Sequence, residues 1–184
     1  GEPIQLARRG ALALVNRMSS KDRLGMVLVG SKVTSFAPSS NHHIVKSRLQ
    51  KLVAKDKHTK LLDGVWAALN MATSNKSGRT SIVVLSDGKD EGSGKDLLSC
   101  LDQAEKRKIP IHSVGHSRVE QKYLSTLKAL SRASGGQYLP ATVPGSLGKA
   151  LAAAFESAMP TPKSGAYFVL HTTDVRGSIP TMRR

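Results

Sequence analysis

Residues Arg79 to Glu91 read RTSIVVLSDGKDE. Within them, Ser81 to Leu85 is a short, nearly continuous apolar run rich in β-branched residues. Such a run suits a strand buried on both faces of a parallel sheet, where neither side of the strand meets water. It stops at Ser86-Asp87-Gly88, a turn signal that carries a carboxylate. A carboxylate at the C-terminal end of a buried strand stands where open α/β sheets take their ligands. A single Asp in such a turn is as readily a turn residue as a ligand, so its companions decide its role.

Outward from this strand, apolar runs alternate with helical periodicity. Pro3 to Met18 places Ile4, Leu6, Ala7, Ala11, Leu14 and Val15 on one stripe, with Arg8, Arg9 and Arg17 mostly off it. Leu24 to Val29 is a strand, Lys32 to Phe36 an edge hairpin partner, and Ala37 to Asn41 a loop. Ile44 to Ala54 and Lys60 to Ala72 are helices, the second capped by Thr59 with Leu61, Leu62, Val65, Trp66 and Leu69 inward. After the central strand come a helix from Lys95 to Lys106, a strand from Ile109 to Val114 and a helix from Gln121 to Ala133. A short strand from Gln137 to Leu139 and a helix from Gly145 to Met159 follow. Residues 160–165 read as a linker and Ala166 to His171 as a last strand. This alternation predicts an α/β fold, a doubly wound, Rossmann-like and mainly parallel sheet with helices on both faces.

The chain has 184 residues, enough for one domain with a core, and aromatics make up only 4%. Lys+Arg 28 against Asp+Glu 13 gives +15, which favours anionic partners or simply solubility. Few aromatics leave little material for base stacking, and no basic block matches a nucleic-acid motif, so no nucleic acid is expected. No apolar run approaches the roughly 20 residues of a membrane span. Cys100 is the only cysteine, which excludes disulfides and thiolate metal sites and reads as a buried structural thiol. Gly1 is not a natural start, so targeting information can lie outside the sequence.

Three constellations bear on function. Gly88 to Lys95 lies between a strand and a helix, but Gly94-Lys95 is followed by Asp96 rather than the Mg²⁺-binding hydroxyl of a phosphate loop. No G-x-S-x-G elbow supports a hydrolytic triad, and His42-His43 lack the spacing of a helical metal pair. The third is oxygen-rich: Asp87 after a strand, Thr59 at a helix start, and Asp174 with Ser178 near the C-terminus. Hard divalent cations take carboxylate, hydroxyl and water oxygens.

These residues resemble a von Willebrand factor A domain over nearly the whole chain. IVVLSDGKDE is similar to that family's strand-four signature, HTKLLDGVWAAL to its T-x-L helix start, and IPIHSVGHS and ASGGQYLPA to its later strands. The family opens with a central strand ending in D-x-S-x-S, which here has no counterpart before the first helix. Residues 167–180, YFVLHTTDVRGSIP, read like that strand and loop. The resemblance therefore implies a circularly permuted single domain over residues 1–184, with residues 166–184 supplying the first strand and the site loop. The alternative is that Ala166 begins a following β domain or a second copy. Permutation predicts Ala166 to His171 between Leu24–Val29 and Ser81–Leu85, and Gly1 close to Arg184.

The resemblance also implies a metal-ion-dependent adhesion site with Asp174, Ser178, Thr59 and Asp87 as ligands of Mg²⁺, or of Mn²⁺ or Ca²⁺. Arg176 replaces the first serine of the loop, and a guanidinium has no acceptor to offer a cation. It either lies between Asp174 and Asp87 in place of the ion or points to solvent beside a weakened metal site. The expected function is a non-enzymatic binding module that grips an acidic protein partner, with Arg176, Lys89, Asp90 and His116 at the contact. An accessory docking module of an ATPase- or kinase-driven machine is the alternative. A hydrolase or nuclease needs more clustered carboxylates than this site offers.

Overall fold

The computed structural model describes residues 2–52, 58–73, 80–116, 121–143, 145–158 and 166–171. Its helices are α1 (Glu2–Arg17), α2 (His42–Gln50), α3 (Leu61–Thr73), α4 (Leu97–Arg107), α5 (Leu124–Ser134) and α6 (Leu147–Ala158). Its strands are β1 (Leu24–Val29), β2 (Val33–Ser39), β3 (Ile82–Ser86), β4 (Ile111–Gly115), β5 (Tyr138–Pro140) and β6 (Ala166–His171). They form one six-stranded sheet in the order β2-β1-β6-β3-β4-β5. Only the β1–β2 pair is antiparallel, so the sheet is the mainly parallel one that the alternation predicts.

Strand β6 lies between β1 and β3 and runs parallel to both, with Phe168 opposite Met26 on one side and Val83 on the other. That is the pairing expected for residues 166–171. The linker 160–165 and residues 172–184, with Asp174, Arg176 and Ser178, lie outside the described residues, as do Gly1 and Arg184.

Alternation along the strands divides the core in two. Met26, Val83, Leu85 and Val114 face α1, α2 and α6; Val27, Ile82, Val84 and Ile111 face α3, α4 and α5. In β3 every residue is buried, as its apolar run requires. Glycine permits close packing here: a Cβ on Gly64 in α3 would run into the Val29 side chain of β1.

Several boundaries differ from the sequence expectation, each for a local reason. Strand β2 continues past Phe36 through Pro38, although residues 37–41 read as a loop. A proline is tolerated on an edge strand. The register shifts between Leu24 and Met26, and the Ala37 and Pro38 carbonyls accept from Arg48 Nη1 (3.1 Å) and Arg23 Nη2 (3.4 Å). Helix α2 starts two residues early because Asn41 Oδ1 accepts from the amides of His43 and Ile44 at 3.1 and 3.2 Å. It ends at Gln50 rather than Ala54. Residues Gln121–Tyr123 form a 3-10 turn before α5.

Trp66, expected in the core, is only half-buried. It sits at the margin of the α3 stripe, and the Lys95 ammonium lies 4.5 Å from its ring centroid. Cys100 is fully buried, donates to the Leu62 carbonyl at 3.5 Å, and burial pushes its thiol up to about 12. A thiol so protonated is inert, in keeping with the structural role expected of it.

His112 in β4 is 5% exposed, and its Nδ1 accepts the Gln137 amide at 3.1 Å. Burial holds its pKa below the ordinary 6.5, so folding favours the neutral ring. The unfolded chain then binds the extra proton. The resulting stability is fully present above about pH 6.5 and is lost as pH falls below it, by at most about 1.4 kcal/mol per pH unit. In His112→Asn, whose Oδ1 keeps the acceptor without titrating, thermal melts between pH 7 and 5 are expected to show a flatter acid limb. An unchanged limb would remove His112 from the acid response.

Candidate functional site

The C-terminal ends of the parallel strands carry the loop from Asp87 to Asp96. Its shape follows from short side-chain bonds to its own backbone. Ser86 Oγ accepts the Gly88 amide at 3.0 Å, and Asp87 Oδ1 accepts the Lys89 amide at 3.0 Å. Gly88 has φ +86°, a left-handed conformation that glycine adopts without strain. The turn packs on the start of α5, so that a Cβ at Gly88 would stand 2.6 Å from the Tyr123 carbonyl carbon.

Past the turn, the loop is tied to the start of α3. The Glu91 amide donates to the Thr59 carbonyl at 2.5 Å. Asp90 Oδ1 accepts the Leu62 amide at 3.0 Å and the Ser93 hydroxyl at 2.6 Å, while Ser93 Oγ accepts the Asp63 amide at 3.1 Å. Asp63 Oδ1 in turn accepts the amides of Gly94 and Lys95, both at 2.9 Å. The first α3 amides are thus received by Asp90 and Ser93 of a distant loop, where the sequence suggested a cap from Thr59. The carboxylates at the positive end of the helix also suit its dipole. Thr59 itself is 1% exposed, and the Lys60 amide donates to the Gly30 carbonyl at the end of β1 (3.0 Å). Three segments far apart in sequence therefore meet at one edge: the end of β1, the start of α3 and the loop after β3.

The remaining expected contact residues fall around this junction. Lys89 Nζ pairs with Glu91 Oε1 at 2.8 Å, and the Glu91 side chain is 24% exposed. The hydrogen bond from Lys89 holds the Glu91 carboxyl below its usual range. His58 Nδ1 lies 3.8 Å from Glu91 Oε2. His116 follows β4, and its amide donates to the Ser86 carbonyl at 3.0 Å. Burial pushes its pKa down, against the nearby Asp87 carboxylate, which raises it. The ring is therefore held toward its neutral, hydrogen-bonding form. Asp90 is drawn into the loop rather than offered outward. Sequence reasoning missed Ser86, Asp63, Glu91 and Ser93. The Asp-x-x-Ser spacing of Asp90 and Ser93 was the available signal for a local turn; the long-range partners had none.

Among the described residues, Asp87 and Thr59 are the two expected ligands at this edge, and no group of three or more His, Cys, Asp or Glu side chains there could hold a metal ion. The other two expected ligands, Asp174 and Ser178, lie outside the described residues. No helix among the described residues is long and apolar enough to cross a membrane.

Comparison with known proteins bears on the fold. Residues 1–143 match the profile of the von Willebrand factor type A domain. No curated protein matches the chain. Among solved structures, a von Willebrand factor type A protein from Catenulispora acidiphila superposes with a TM-score of 0.69 at 13% identity, over 83% of this chain and 37% of that one. Proximal thread matrix protein 1 from the mussel byssus gives 0.66 at 16% identity, over 84% of this chain and 40% of that one. An aerotolerance-related membrane protein from Bacteroides fragilis gives 0.64 at 15% identity, over 84% of this chain and 87% of that one. At such identities the likeness is one of fold.

Proposed function

Because the chain belongs to the von Willebrand factor type A domain family, whose members are commonly protein-interaction modules, we propose that the edge bearing Asp87 and Thr59 grips an acidic side chain of a protein partner. The observation that supports this is the hydrogen-bonded junction of the β1 end, the α3 start and the loop after β3. It holds a carboxylate and a buried threonine at the place where an open α/β sheet takes ligands. We read its work as binding, the common role of the family.

On this reading residues 1–184 would form a single domain of permuted order, and the segment after β6 would supply Asp174 and Ser178 as companions of Asp87 and Thr59. These four residues would hold a divalent cation, which supplies a Lewis-acid contact to the partner's carboxylate. Arg176 is the competing element. Placed between the two aspartates it would neutralise them and offer the partner a bidentate salt bridge instead. The Lys89–Glu91 pair stands at the rim, and His116, held neutral, offers a hydrogen bond rather than a charge.

Calorimetric titration with Mg²⁺ and with Mn²⁺, paired with thermal melts, separates the two modes. The metal mode expects binding heat and a raised Tm in the wild type, both abolished in Asp87→Ala. The Arg176 mode expects neither, and a loss of partner binding in Arg176→Ala. A partner complex that survives both substitutions would place the contact elsewhere on the molecule.

A further inference from the structure

A second surface lies along the free edge of the sheet. Residues 23–55 contain no Asp or Glu, yet carry Arg23, Lys32, Lys46, Arg48, Lys51 and Lys55. Within this stretch β1, β2 and α2 form one lateral corner of the fold, and β2 is an outermost strand with a sheet partner on one side only. Among the described residues, Arg23, Lys32, Lys46, Arg48 and Lys51 make no ion pair. Such a single-sign cluster projects a field that draws in anionic partners and repels cationic ones.

The edge itself is closed over half its length. Pro38 has no amide to offer, and Arg48 and Arg23 occupy the carbonyls of Ala37 and Pro38. Among the described residues, no arginine closes Val33 to Phe36 in this way. Ile44 of α2, one turn before Arg48, is 41% exposed. An open edge of this kind pairs with an extended chain through main-chain hydrogen bonds, with alternate side chains finding neighbours on either face. Nucleic acid fits poorly: Phe36, the one Phe, Tyr or Trp of β2 and α2, is covered by the Arg48 guanidinium, 5.4 Å from its centroid.

We propose that Val33–Phe36 of β2 receives an extended acidic segment of a protein partner as an added strand, with Lys32, Lys46 and Lys51 supplying the electrostatic match. This surface is separate from the Asp87 junction, although the Gly30–Lys60 hydrogen bond joins the tip of the β1–β2 hairpin to it.

The test uses three fluorescein-labelled probes read by anisotropy at low and physiological salt. One is the β-prone peptide Glu-Val-Glu-Val-Thr-Val-Glu, the second is the same peptide with alternate backbone amides methylated, and the third is a short DNA duplex. The unmodified peptide is expected to bind, more weakly at higher salt, and to slow amide exchange at Val33–Phe36. Methylation is expected to weaken it about tenfold or more, since each lost main-chain bond counts. The Lys32→Glu/Lys46→Glu/Lys51→Glu variant, checked for an unchanged melt, is expected to lose about tenfold or more. Asp87→Ala is expected to leave it untouched, which keeps this surface distinguishable from the junction. Four results would overturn the proposal: no binding at low salt, equal binding of the methylated peptide, tighter binding of the duplex, or protection outside β2. The methylation comparison uses the wild-type protein and stands even if the triple variant misfolds.

Discussion

Gly88→Ala is expected to destabilise the domain by about 2–5 kcal/mol, from about 1–2 for a left-handed non-glycine residue and about 1–3 for overpacking. Two independent features produce this. The backbone at Gly88 has φ +86°, and the space a Cβ would take is filled by the Tyr123 carbonyl and the Leu124 amide. Both neighbours are main chain, so no rotamer change relieves the clash. The start of α5 or the loop after β3 must move, and either displaces Asp87. A melt by circular dichroism measures the loss, each kcal/mol lowering the Tm of a domain this size by about 2–4 °C. A Tm within a degree of wild type would mean that the turn does not pack on α5 as described.

Leu85→Ala is expected to cost about 3–5 kcal/mol, the range for removing a buried leucine with limited collapse of the cavity. Leu85 is 1% exposed on β3, faces the α1, α2 and α6 layer, and immediately precedes the Ser86-Asp87-Gly88 turn. Strand β3 lies between β6 and β4, so its backbone has little freedom to follow a shrinking side chain. Leu98→Ala is the internal control. Leu98 is 76% exposed in the first turn of α4, and its truncation is expected to shift stability by no more than about 0.5 kcal/mol. Denaturant titration of both variants gives the contrast directly. Similar midpoints for the two would contradict the assignment of Leu85 to the core.

Much of the fold was legible because local pattern carries it. Ser81 to Leu85 announced a doubly buried strand, and the structure differs there by one residue at each end. Of the α1 stripe, Ile4, Ala7, Ala11, Leu14 and Val15 are buried as their spacing requires, and Leu6 is half-buried. Leu24–Val29 and Ala166–His171 match their expected bounds. Errors gathered where a distant segment intervenes. Strand β2 continues through Pro38 beside two arginine-held carbonyls, one of them bound by Arg48 of α2. Trp66 turns toward the surface, where the Lys95 ammonium lies over its ring.

The candidate site divides the same way. Asp87 at the end of a buried strand followed from a run of apolar residues and a turn signal, because a strand's burial and its stop are written in adjacent residues. By itself, the sequence determined the layer architecture, the strand that carries Asp87 and the family resemblance that supplied Thr59 as its companion. The tertiary structure alone decided that Asp90 and Ser93 take up the first amides of α3 and that Lys89 turns to Glu91. The reason is physical. Periodicity records which face of an element is apolar, a property of neighbouring residues. Which polar groups satisfy a helix end depends on bonds between segments that meet only after the chain has folded.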